Sequence, residues 1–244
     1  MSALQGPPLN RIYHYGLLTL SLIRLSSAAG TSEPATGYTY GQSIPVTCLN
    51  RTIDSGEHIT DNLGKLQYIP FPTCNETSLP LTLHYGVPET LNCTIASLPD
   101  DLYHLLEYYV HSDVPMTCRV PSAPLANQQI GDDGPAYTPI TFAVQGTLQL
   151  SHLHLWTDLN VLVHSIGDVL QGGRKKEGER GYVVAGTAYS VPEFDGVRSG
   201  IGKGGEAGEG VVQAAREPWT AGHGTKVVRG EPLTFSLSVR WVDG

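Results

Sequence analysis

Beyond residue 30 this chain has no apolar stretch of the roughly 20 residues that cross a bilayer as a helix, and no hydrophobic tail of the kind that signals a lipid anchor. It is also short of positive charge. With 15 Lys and Arg against 23 Asp and Glu, and a formal net charge of -8, it lacks the clustered cations that displace counterions from phosphates, which excludes a nucleic-acid surface. The one basic run, Arg174-Lys175-Lys176, is flanked by glycines and by Glu177, Glu179 and Arg180, and reads as a solvated loop. No Ser, Cys or carboxylate stands in a nucleophile elbow or a paired-acid motif, and no Cys-x-x-Cys knuckle is present to hold tetrahedral zinc. Residues Gly200 to Gly205 carry the letters of a dinucleotide fingerprint, but no strand feeds them and no helix follows. The reading is therefore of a chain with no catalytic residues, no metal and no cofactor.

What is present points to a compartment. Between positions 48 and 118 the four cysteines, Cys48, Cys74, Cys93 and Cys118, are interleaved with three Asn-x-Thr sequons at Asn50, Asn75 and Asn92. Sugar is added to such asparagines in the secretory lumen, where thiols also oxidise. Two structural disulfides are expected, but four cysteines allow three pairings and the spacing does not choose among them. Asn92 has Cys93 as the middle residue of its own sequon, so a quickly formed disulfide would hinder its glycosylation.

The first 30 residues fit a cleavable signal peptide: Arg11 precedes a mostly apolar stretch from Gly16 to Ile23, and small residues follow from Ser26 to Gly30. About 215 residues then remain, enough to bury a core without relying on cross-links. Twenty-eight glycines, 17 prolines and only 16% charged residues favour strands and loops over long helices. Residues 31–42 read as a flexible lead-in. A β-rich domain follows over 43–244, with a cysteine and sequon half at 43–121 and a cysteine-free half at 137–244. The Pro-rich and Gly-rich segment from Pro121 to Pro139 links them, and a low-complexity stretch near 196–210 is expected to be a disordered insertion.

Short β-branched or apolar runs at Ile44 to Leu49, Leu66 to Phe71, Leu79 to Tyr85, Thr90 to Ile95 and Met116 to Val120 predict strands. Between Asp101 and His111 a helical stripe and a strand face fit equally well. Ser97 with Asp100 resembles a capping box, and the expectation is a short helical turn running into a strand. In the second half Phe142, Val144, Leu148 and Leu150 alternate on one parity, then Leu153, Leu155, Leu159, Val161 and Val163 on the other. That slip predicts a bulge or corner near Ser151 that turns one long strand between two sheets. Tyr182 to Tyr189 and Lys226 to Val228 supply further strands, and Leu233, Phe235, Leu237, Val239 and Trp241 form a cleanly alternating last one. The sum is a mainly β, antiparallel, sandwich-like and disulfide-stabilised fold.

The strongest chemical lead is His152, His154, Trp156 and Asp158, which a continuous strand would place on one face. The histidine pair has transition-metal spacing, and Trp156 offers a sugar-stacking surface. The same alternation arises in any strand with one wet side.

At Ser43-Ile-Pro-Val-Thr-Cys48-Leu-Asn-Arg-Thr52 and Tyr68-Ile-Pro-Phe-Pro-Thr-Cys-Asn-Glu-Thr77 the chain resembles a group of uncharacterised fungal secretory-pathway glycoproteins, over about residues 43 to 165 and the last strand. The resemblance carries no activity. It implies a lumenal domain followed, in some relatives, by one membrane span, and this chain stops at Gly244 without one. The expectation is a non-enzymatic, N-glycosylated interaction domain, secreted or the ectodomain of a longer membrane-anchored form. Its partner is an unidentified protein or glycan, and it contacts membrane only through such an anchor. The alternatives are a secreted hydrolase or metal-dependent enzyme using His152, His154 and Asp158, and a carbohydrate-binding module using Trp156.

Overall fold

A computed structural model describes residues 37–127, 134–149, 152–167, 180–191 and 224–243. The leader, the basic run at 174–176, Leu150, Ser151 and the Gly-rich stretch at 196–210 lie outside them. The first part of the chain is a succession of very short strands: β1 (Tyr38–Thr39), β2 (Ser43–Pro45), β3 (Thr47–Leu49), β4 (Tyr68–Pro70), β5 (Thr73–Cys74), β6 (Leu79–Pro80) and β7 (Thr82–His84). Then come β8 (Glu89–Ile95), α1 (Asp100–Ser112) and β9 (Met116–Pro121), with a single 3-10 turn at Leu125–Asn127. The remaining strands are β10 (Tyr137–Ala143), β11 (Gly146–Gln149), β12 (His152–Leu155), β13 (Asp158–Gly167), β14 (Arg180–Ser190), β15 (Thr225–Val227) and β16 (Leu233–Asp243).

The fold is mainly β, as expected, and sandwich-like, built on a nine-stranded sheet in the order β4-β3-β9-β10-β14-β13-β16-β8, with β1 also paired to β14. Smaller sheets β11-β12-β15, β2-β7 and β5-β6 accompany it. The sheet is mixed rather than antiparallel throughout: β10 with β14 and β13 with β16 run parallel. Nor do the cysteine and cysteine-free halves separate. β9 pairs with β10, and β16 pairs with β8, so one sheet carries both. The segment after Pro121 returns to the same ladder, with Tyr137 opposite Pro121.

Period-two patterning explains the core. Leu159, Val161 and Val163 of β13 and Leu233, Phe235, Leu237 and Val239 of β16 are all buried, and they join Ile140, Phe142, Val120 and Leu83 in one cluster. Part of the expected lead-in belongs to this core. Tyr38 is 1% exposed, its hydroxyl donates to the Pro121 carbonyl at 3.1 Å, and its ring stacks on Tyr85, which meets Trp241 edge-on. The flexible segment therefore does not extend to this residue.

The parity change near Ser151 has a different origin from the one expected. β11 and β12 are separate strands paired antiparallel, with Gln149 opposite His152, and no single strand passes between sheets. Phe142 and Val144 are buried as predicted, but Leu148 is 42% exposed. A register shift does occur later, between His164 and Ser165 of β13.

Residues 100–112 form one helix with no strand after the first turn. Leu106 and Tyr109 point inward at 2% exposure each, and Leu102 and Leu105 pack beside them, so burial of the helical stripe outweighs the strand propensity of Tyr108 and Val110. The capping box does not form. Pro99 occupies the N-cap without a side-chain bond, and the Ser97 hydroxyl donates to the Gly230 carbonyl instead. Asp100 and Asp101 supply negative charge to the first turn, and Asp113, left-handed at φ 53°, ends the helix.

Candidate functional site

Both disulfides are formed, Cys48 with Cys118 and Cys74 with Cys93. The first links directly opposed residues of β3 and β9, and the second ties β5 to β8. Beside them lies an apolar cleft of about 990 Å³. Helix α1 lines it with Leu102, Leu105, Leu106 and Tyr109. The run from Ile69 to Asn75, the end of β8 and the loop after β3 line the rest. Its inner end is closed by the buried rings of Phe71 and Phe235, and Ile53 and Ile69, 39% and 44% exposed, stand towards solvent.

The loop after β3 is positioned by its own hydrogen bonds. The Thr52 amide donates to the Glu57 carbonyl and the Gly56 amide to the Thr52 carbonyl, which closes a tight turn. Gly56 sits at φ +68° with the Tyr108 ring where a Cβ would be, so only glycine lets this turn press on the helix. Arg51 locks the arrangement by donating from Nη1 to the Gly56 carbonyl at 2.6 Å.

Arg51 is the notable charge of the cleft. Its Nε is buried without a hydrogen-bond partner, and its guanidinium carbon lies 6.0 Å from the Tyr108 ring centroid. Among the described residues, no carboxylate forms an ion pair with it. Burial pushes the Tyr109 phenol up from its ordinary value, and the neighbouring Arg51 charge offsets part of that rise. Asp54 and Asp101, the two carboxylates of the lining, are both exposed.

The sequons cluster at the same end. Asn50, half-buried, and Asn75, exposed, both line the cleft, whereas Asn92 is exposed on β8, at the margin of the large sheet. The Thr94 hydroxyl, which belongs to the Asn92 sequon, donates to the Glu76 carboxylate in the middle of the Asn75 sequon. That contact, together with a bond from the Thr94 amide, holds the Glu76 carboxyl below its ordinary pKa. Cys93 points inward at 0% exposure while Asn92 points outward, as strand alternation requires.

The four-residue face at 152–158 is not assembled. β12 ends at Leu155 and the chain turns through Trp156 and Thr157 before β13 begins, so alternation is interrupted at the tryptophan. Trp156 is 1% exposed, with its amide donating to the Gln145 carbonyl and its carbonyl accepting from the Ser190 hydroxyl. It presents no ring to a sugar. His152 is exposed and His154 half-buried, their rings 6.5 Å apart and edge-on, while Asp158 is exposed on the next strand. Lys226 of β15 stands directly opposite His154 in the ladder. Among the described residues, no group of three His, Cys, Asp or Glu side chains is placed to hold a metal.

Sequence reasoning missed the cleft. The helical stripe was visible in the sequence, but its partners come from five separate segments. Arg51, the middle residue of the first sequon, carries no local sign of burial. The fold and the site together define a disulfide-stabilised, mainly β domain with an apolar cleft beside both cross-links. A family model described as a domain of unknown function, DUF8773, matches residues 33–203, and the chain belongs to that family. The match spans both disulfides and every cleft residue named above except Phe235. No curated protein and no solved structure gives a significant match. No helix among the described residues is long and apolar enough to cross a membrane.

Proposed function

We propose that this chain is a non-enzymatic, N-glycosylated domain of the secretory pathway that acts by receiving a hydrophobic ligand in the cleft beside helix α1. The observation that carries the reading is the cleft itself: about 990 Å³ of largely apolar lining, with no histidine and no free cysteine in it. Concave apolar sites of this size, edged by a few polar groups, are where small ligands bury most of their surface. The two disulfides support an oxidising compartment, and sugars on Asn50 and Asn75 would stand at the rim and shield the apolar mouth from self-association.

The test is titration of the secreted protein with N-phenyl-1-naphthylamine, a neutral apolar fluorophore. Saturable binding at one site is expected, abolished by Leu105→Glu and by Thr73→Trp, which fills the cleft from its exposed side. Absence of saturable binding to a protein with native near-ultraviolet circular dichroism overturns the reading. Intact mass before and after glycosidase treatment checks the secretory placement. Loss of sugar mass is expected, and an unglycosylated product from a secreting eukaryotic host would contradict it.

A further inference from the structure

Resting on the cleft reading above, we infer that the ligand is an amphipathic anion, a free long-chain carboxylate whose tail lies along Leu102 and Leu105 and whose head pairs with Arg51. Arg51 presents a guanidinium, a planar cation whose fork of donors matches a carboxylate. It lines an apolar cleft, its Nε is buried and unpartnered, and among the described residues the Gly56 carbonyl, the Tyr109 phenol and, at 6.0 Å, the Tyr108 ring stand near it. Arg51 is half-buried, and a charge partly withdrawn from water is costly unless an opposite charge or a full set of hydrogen bonds compensates it; among the described residues no carboxylate does. A ligand carboxylate meets that need with the paired geometry that suits a guanidinium.

Arg119 shows the contrast. Among the described residues it too has no ion-pair partner, and its Nε is buried and unpartnered, but its guanidinium is sandwiched between the rings of Tyr68 and Tyr137 at 3.7 and 3.8 Å. Cation–π contact on both faces compensates it within the protein. Tyr108, at 6.0 Å, gives Arg51 far less. The overall charge of -8, with Asp54 and Asp101 on the lining, disfavours general adsorption of anions, so a preference for a negatively charged head would have to come from this arginine.

The experiment compares hexadecanoate with 1-hexadecanol, which share a tail and differ in charge, as competitors of N-phenyl-1-naphthylamine on the full glycosylated chain. The carboxylate is expected to bind at least about tenfold more tightly, the ratio for a charge-assisted contact of about 1.4 kcal/mol. Affinity should weaken by up to about fourfold for each methylene removed from the tail. Arg51→Gln should bring the two ligands together, Arg51→Lys should keep part of the preference, and Arg119→Gln should leave it unchanged. The wild-type comparison stands even where Arg51→Gln loosens the loop. Equal binding of acid and alcohol, or a preference that survives Arg51→Gln, overturns the inference and leaves the cleft reading intact. Binding of the fluorophore without either competitor also overturns it, whereas failure of the fluorophore itself removes the cleft reading.

Discussion

From Tyr38 to His84 the chain builds seven strands of two or three residues each, whereas β13, β14 and β16 run for 10, 11 and 11 residues. A three-residue strand contributes few ladder hydrogen bonds and one or two inward side chains, so it cannot hold its place by pairing alone. The long strands bury every second residue over most of their length and need no cross-link. Each disulfide ties one of the short strands, β3 or β5, to a longer one, β9 or β8, and the cleft lies beside both ties. Where irregular backbone replaces layered strands, covalent bonds stabilise the walls and the packing between them stays incomplete. The same economy leaves room for a ligand.

Removing the cross-links is the strongest way to break this comparison. Cys48 and Cys118 are 70 residues apart and Cys74 and Cys93 are 19 apart. On chain-entropy grounds, replacing the first pair by alanine should cost about 4 kcal/mol and the second about 3 kcal/mol in urea unfolding. Val161→Ala in the centre of β13, at 0% exposure, should cost about 2 kcal/mol. Hydrogen exchange on the cysteine variants should show protection lost first in β2 to β7 and kept in β13 and β16. If β13 loses protection together with β3, the two regions are one cooperative unit and the contrast is only one of appearance.

A pH titration sharpens the comparison from the other side, because Tyr38 of β1 is the short-strand residue that docks on the long strands. Burial pushes its phenol well above the ordinary value of 10.0, and raises that of Tyr85 as well. A phenol whose folded pKa is raised favours the protonated folded state. Its contribution is therefore full below pH 10 and is lost as pH rises beyond that towards the folded pKa. Stability should be flat from neutral pH to about pH 9 and fall above about pH 10. In Tyr38→Phe that fall should be shallower, at the cost of the hydrogen bond to Pro121 at every pH. An unchanged alkaline slope would assign the effect to other groups.

How much was legible in the sequence divides along the same line. The alternation of Leu233 to Trp241 and of Leu159 to Val163 predicted β16 and β13 because a half-buried strand writes its burial into local order. The short strands at Ile44, Leu66, Leu79 and Met116 were legible as apolar runs between turn residues, but their partners were not. Parallel pairing of β10 with β14 and the choice of Cys118 for Cys48 are set by contacts far apart in sequence. Trp156 was misplaced for the same reason: a corner between β12 and β13, invisible in the period, turns it inward. The cleft is the extreme case, since Arg51, Phe71, Ile95 and Leu105 meet only in the folded chain.

The smallest effect tests what holds α1 against the cleft. Arg229 donates to Asp100 at 2.9 Å across the start of the helix, and its guanidinium lies 5.4 Å from the Tyr103 ring centroid. Both charged side chains are more than half exposed, at 58% and 60%, where water and salt screen the attraction and two long side chains lose freedom in making it. The raised pKa of Arg229 follows from that contact and has no bearing on stability near neutral pH, where the guanidinium is charged with or without it. If the helix is held by Leu106 and Tyr109, Arg229→Ala should leave the melting temperature within about 1 °C of the parent at low and high salt alike. A drop beyond about 3 °C that salt abolishes in the parent would mean that α1 hangs on its exposed end. The cleft would then be bounded by a helix free to swing rather than by a fixed wall.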